Sequence, residues 1–68
     1  GHVEINYSNG DKYIGEMVND FREGKGTYIY SGGDRYEGEW KNHQKHGLGT
    51  FYYNVGELYI GEWVENKK

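Results

Sequence analysis

The chain contains no cysteine and no proline. Without cysteine neither a disulfide nor a thiolate-held metal is available, and the absence fits a reducing compartment. Without proline there are no polyproline segments, and turns must be made by other residues. Aliphatic residues are scarce: Leu, Ile, Val and Phe make up only 12 of the 68 residues. That share is low enough to suggest disorder when net charge is also high, but here the net charge is only −3. No apolar run approaches the roughly 20 residues of a membrane-spanning helix. Basic residues do not cluster either. The net charge is −1 over residues 1–12, −1 over 13–35, −1 over 36–58 and 0 over 59–68. Nucleic acid, whose binding rests on neutralising phosphates, is therefore excluded as a partner.

What the chain has instead is 12 Gly, 8 Tyr and 2 Trp. Aromatic side chains bury roughly 150–250 Å² each, so a folded domain with an aromatic core is expected. At 68 residues it is one small domain, of a size that buries only about 60% of its unfolded surface and is marginal without further support.

The chain repeats itself every 23 residues without gaps. Tyr13-Ile14-Gly15-Glu16-Met17 falls on Tyr36-Glu37-Gly38-Glu39-Trp40 and on Tyr59-Ile60-Gly61-Glu62-Trp63. Gly24-Lys25-Gly26-Thr27-Tyr28-Ile29-Tyr30 falls on Gly47-Leu48-Gly49-Thr50-Phe51-Tyr52-Tyr53. Residues 1–12 match the tail of a unit, 13–35 and 36–58 are complete units, and 59–68 begin a third. The expectation is therefore a segment of a longer repeat protein.

Inside a unit, Tyr13, Gly15 and Met17 alternate, as do Gly26, Tyr28 and Tyr30. Period-two patterning over short runs predicts half-buried strands. Residues 19–25 have loop composition, so each unit reads as a hairpin with a loop of about six residues, followed by a tighter Gly turn such as Ser31-Gly32-Gly33-Asp34. Gly15, Gly38 and Gly61 recur inside strands, where glycine normally weakens pairing. The expected reason is room for a ring from an adjacent hairpin, such as Tyr30 or Trp40, to lie on the backbone. Stacked hairpins bury a face that no single hairpin can bury.

The pattern Tyr-x-Gly-Glu-Trp, a loop, Gly-x-Gly-Thr-aromatic-x-Tyr and a Gly-Asp turn resembles the MORN repeat (membrane occupation and recognition nexus), over the whole chain. Met17 stands in a Trp position, Val3 in a Gly position, and Val55 interrupts the last turn. The resemblance implies an all-β fold: tandem antiparallel β-hairpins stacked into an elongated, twisted single-sheet ribbon. It also implies a non-catalytic interaction or scaffold module that binds a protein or peptide, or pairs with a second copy through its faces or edges. The alternatives it carries are a regulatory segment of a larger enzyme, of lipid kinase or methyltransferase type, and a membrane-apposition module. The lack of a basic cluster weakens phospholipid binding, since an anionic bilayer rewards grouped Lys and Arg. A cytoplasmic setting, at a membrane or the cytoskeleton, goes with this reading.

No nucleophile–base set or nucleotide fingerprint is present, and no cofactor is expected. Gly24-Lys25-Gly26 lacks the spacing of a phosphate loop and runs into a strand, not a helix. Glu16, Glu39 and Glu62 recur identically, whereas acid–base chemistry needs unlike groups with separated pKa values. They are read as structural. His43 and His46 are three apart, but structural zinc takes four ligands and His2 is the only other histidine. They are read as exposed loop residues.

The candidate partner-binding residues are the aromatic rows Tyr7, Tyr30, Tyr53, Tyr36, Tyr59, Trp40 and Trp63, with Phe21, His43 and Lys45 where the units differ. Tyr and Trp are the types that interface hot spots favour. Ile14, Val18, Ile29, Ile60 and Val64 should point to the opposite face. If the rings also form the core, Trp40→Ala costs about 3–5 kcal/mol. A denaturant melt shifted by less than about 1 kcal/mol would place Trp40 at the surface.

Overall fold

The computed structural model describes residues 1–67. Six strands follow one another: β1 (His2–Asn6), β2 (Lys12–Val18), β3 (Phe21–Ile29), β4 (Arg35–Lys41), β5 (Gln44–Tyr52) and β6 (Leu58–Trp63). They form one antiparallel sheet in sequential order. The result is a single-layer ribbon measuring 33 × 26 × 15 Å, as the repeat pattern implies.

The six-residue hairpin loop is not formed. β2 and β3 are joined by two residues, Asn19 and Asp20, with φ of 51° and 67°. Asn42 and His43 repeat this between β4 and β5 (51° and 73°), and Glu65-Asn66 repeats it after β6 (50° and 69°). Positive φ at both central residues is the two-residue turn that matches strand twist, and Asn and Asp tolerate it. The loop-like composition of residues 21–25 belongs instead to a bulged strand. Gly15 faces Gly26 and Met17 faces Arg22, so Glu16 alone spans Glu23, Gly24 and Lys25. Gly24, at φ 74°, supplies the left-handed step. The same irregularity separates Gly38 from Trp40. Each bulge bends its strand and re-aims the residues beyond it.

At the other ends of the strands the Gly turns are longer than the two-residue tips, not tighter as their composition suggests, because residues 7–11, 30–34 and 53–57 all lie between strands. The Tyr7 amide donates to the Asp11 carbonyl at 2.9 Å and the Gly10 amide to the Tyr7 carbonyl at 3.1 Å. The same pair of bonds recurs at Tyr30–Asp34 and at Tyr53–Glu57.

The core is aromatic and lies on one face. Tyr13 and Tyr36 are fully buried and Trp40 and Trp63 nearly so, with Val3, Tyr7, Met17, Tyr28, Tyr30, Phe51 and Tyr59 packed around them. The ring over each strand glycine comes from the same strand, not from a neighbouring hairpin. The Tyr13 hydroxyl reaches along β2 and donates to the Glu16 carbonyl at 2.7 Å. Tyr36 does the same to Glu39 at 2.9 Å and Tyr59 to Glu62 at 3.3 Å. The ring crosses the facing pair Gly15 and Gly26, where a Cβ on Gly26 would overlap the Tyr13 hydroxyl and ring. Trp40 meets this glycine as well: its indole N–H donates to the Gly26 carbonyl at 3.1 Å, and Trp63 repeats the bond to Gly49 at 3.3 Å.

Gly26→Ala is therefore expected to destabilise the ribbon by about 1–3 kcal/mol, the range for overpacking. At Gly32 an added Cβ meets nothing, and Gly32→Ala should stay within about 0.5 kcal/mol of the parent. Paired urea melts of the two variants make the comparison.

Candidate functional site

The two faces of the sheet differ in kind. On the aromatic face, Tyr36, Trp40 and Trp63 are buried beneath their neighbours. Tyr13 meets Trp40 edge-on at 5.6 Å, and Tyr36 meets Trp40 at 5.2 Å and Trp63 at 5.3 Å. These rings are structural supports and present little surface. Tyr7, Tyr30, Tyr53 and Tyr59 are half-buried along the same face. Burial pushes the Tyr13, Tyr28 and Tyr36 phenols up to about 12.

The bulges deliver one cation per unit onto these rings. The Arg22 guanidinium lies 4.7 Å from the Trp40 ring centre and 5.0 Å from that of Tyr28, and donates to the Tyr7 hydroxyl at 3.2 Å. Lys45 occupies the equivalent place one unit later, among Tyr30, Tyr36, Trp40, Phe51 and Trp63. Arg22 was not singled out from the sequence. The available signal was a cation at the same repeat position in two units.

At the hairpin tips the turns lock to one another. The His43 amide donates to the Arg22 carbonyl at 3.0 Å, and the Arg22 amide to Nδ1 of His43 at 3.3 Å. Burial and the Arg22 charge hold His43 below its ordinary pKa, in keeping with an imidazole nitrogen that accepts. Phe21, half-exposed, touches the His43 ring edge-on at 6.0 Å. In the next unit the Asn66 amide donates to the Lys45 carbonyl, and the Lys45 amide to Oδ1 of Asn66. Among the described residues no group of three or more His, Cys, Asp or Glu gathers as a metal site.

Turn carboxylates link the units at the opposite end. Oδ1 of Asp11 accepts the Ser31 amide at 2.8 Å, and Oδ2 accepts the Tyr28 hydroxyl at 2.7 Å. Asp34 accepts the Asn54 amide at 2.9 Å, but position 51 is Phe and offers no hydroxyl. The hydrogen bond from Tyr28, followed by that from Ser31, holds the Asp11 carboxyl below its ordinary value of 3.8.

The second face carries a groove of about 640 Å³. Its floor is the glycine backbone: Gly15, Gly26, Gly38, Gly49 and Gly61 follow one another across the strands and raise no side chain. One wall is the cross-strand row Ile14, Thr27, Glu37, Thr50 and Ile60. Lys25, Glu39 and Leu48 stand on the other. Leu48 is 62% and Ile60 71% exposed. Ile14 and Ile60 thus occupy the side opposite the rings, as alternation requires.

A single-layer ribbon of tandem hairpins, with rings packed on one face and a groove on the other, defines a β-hairpin repeat protein. The MORN repeat model matches residues 13–35, 36–57 and 59–68, and the chain belongs to the MORN repeat family. MORN repeats generally mediate protein–protein interactions. No curated protein sequence matches the chain.

The low pKa of Asp11 has a defined effect on stability. The folded state holds the carboxylate better than the unfolded chain does. Its contribution is present above pH 3.8 and is lost as the pH falls from there through the folded value. Asp11→Ala should lower the urea midpoint at neutral pH, and the gap to the parent should narrow on acidification.

Proposed function

We propose that the module grips a helical segment of a partner protein in the glycine-floored groove. The observation that carries this reading is the open groove itself, with Leu48, Ile14 and Ile60 above a floor of bare backbone. The floor amides and carbonyls of the inner strands already serve the sheet ladder. An extended peptide lying across them would gain no main-chain bonds, so β-augmentation is not available there. A helix satisfies its own backbone and brings only side chains. Six strands at about 4.8 Å spacing make a groove about 24 Å long, which about 16 helical residues span at 1.5 Å each.

Charge selects the helix. Glu37 and Glu39 stand in the walls against Lys25, in a chain of net charge −3. The partner fits best with an apolar stripe flanked by Lys or Arg. If the module is a regulatory segment of a larger enzyme, the helix comes from that enzyme's own chain. Tyr7, Tyr30, Tyr53 and Tyr59 on the aromatic face are already half-buried among their neighbours.

A synthetic amphipathic helix of Leu and Lys tests the proposal. Amide signals of Ile14, Thr27, Thr50 and Ile60 should shift on titration. Leu48→Asp combined with Ile60→Asp should weaken binding at least tenfold, and a Leu–Glu helix should bind far less well than the Leu–Lys helix. Shifts centred on Tyr30 and Tyr53, or equal binding of both helices, would overturn it. So would a preference for phosphatidylserine vesicles, or for a second copy of the chain, over the peptide.

A further inference from the structure

Lys45 is held unlike any other lysine among the described residues. Its Nζ lies 5.4 Å from the Tyr30 ring centre, 5.6 Å from those of Tyr36 and Trp63, and 5.8 Å from those of Trp40 and Phe51. The bulge between Gly38 and Trp40 places Lys45 directly opposite Trp40, and so aims its side chain into this cluster. A primary ammonium carries three N–H donors. Among the described residues the ion pairs found are His2–Glu16, Lys12–Glu4 and Arg35–Glu37, none of which involves Lys45. No side-chain hydrogen bond is made by its Nζ either. In the equivalent place Arg22 meets its donors differently, bonding the Tyr7 hydroxyl and the His43 carbonyl. Lys45 therefore has surroundings that suit a cation with few N–H groups: a set of rings and, among the described residues, no protein acceptor on Nζ. That is how quaternary and N-methylated ammonium ions are recognised.

We infer that Lys45 is a site of N-methylation whose reader is its own fold, the five rings closing on the methylated ammonium and tightening the junction between the second and third units. Each transfer is balanced. The lone pair of the neutral amine attacks the methyl carbon of a sulfonium donor. The N–C bond forms, and the C–S bond breaks with its electron pair, leaving a thioether. A proton passes to solvent before the next transfer. The charge survives methylation, so the attraction to the rings survives too, while fewer N–H donors need water at a half-buried position. Acetylation would remove the charge and lose the attraction. Burial first, and the Arg22 charge second, hold the amine below its ordinary pKa, which raises the fraction of free amine.

The test uses the full chain and its Lys45→Arg variant. Both are unfolded in urea and dimethylated with ¹³C-formaldehyde and a borane reductant. Each amine condenses with formaldehyde, losing water, and hydride from the borane reduces the iminium. Complete modification is verified by mass before refolding. Because Lys45→Arg keeps a cation among the rings, it reports the effect of methylating every other amine. Relative to that baseline, methylation should raise the melting temperature of the parent by about 3 °C. The Lys45 methyl signal, assigned by its absence from the variant, should move upfield under the five ring currents. A lowered melting temperature, a random-coil methyl shift, or refolding of the modified variant but not of the modified parent would each overturn the inference.

Discussion

A tyrosine ring laid along its own strand over a pair of glycines is the contact on which the ribbon depends. Tyr13 can close over Gly15 and Gly26 only because neither carries a Cβ, and the hydroxyl that emerges beyond them finds the Glu16 carbonyl. That carbonyl belongs to the bulge, where one residue spans three and the sheet ladder is interrupted. The phenol thus satisfies a backbone group that the irregular register would leave without a strand partner. Tryptophan completes the unit from the next hairpin, packing edge-on against the tyrosine and donating to the glycine carbonyl. Trp40 and Trp63 each span 14 residues to make this bond, so it ties units together as well as filling space.

The bulge has consequences on both faces. On the aromatic side it turns Arg22 and Lys45 onto the rings, adding cation–π attraction where a small domain has few aliphatic contacts to spare. On the other side the same glycines leave a bare floor between two rows of side chains. Core and groove therefore share the same strands: the missing Cβ atoms face the tyrosines, and the backbone of those glycines is the floor of the opposite face.

Much of this was legible in the sequence. The 23-residue period, the alternation of Tyr13, Gly15 and Met17, and the recurring Gly turns announce a sheet of stacked hairpins. Local rules were weaker where two elements share one composition. Residues 21–25 read as a loop because Arg, Glu, Gly and Lys are loop-like in isolation, yet they form a bulged strand once Asn19 and Asp20 take the turn. The aromatic rows were legible as core or surface but not as which. Tyr36 and Trp40 became core through contacts made two strands away, Tyr36 with Trp63 and Trp40 with Tyr13, while Tyr30 and Tyr53 stay at the margin.

The sequence by itself determined the repeat, the all-β class, the family and the absence of a nucleic-acid-binding charge pattern. Each of these follows from residue order and residue chemistry. Only the tertiary structure decided which face is hollow, which ring covers which glycine, and that Lys45 ends among five rings. The reason is physical. Period-two patterning sorts side chains onto two faces, but the direction in which a sheet bends depends on bulge register and on backbone approach between strands, and both are set by pairing with residues about a dozen or more positions away.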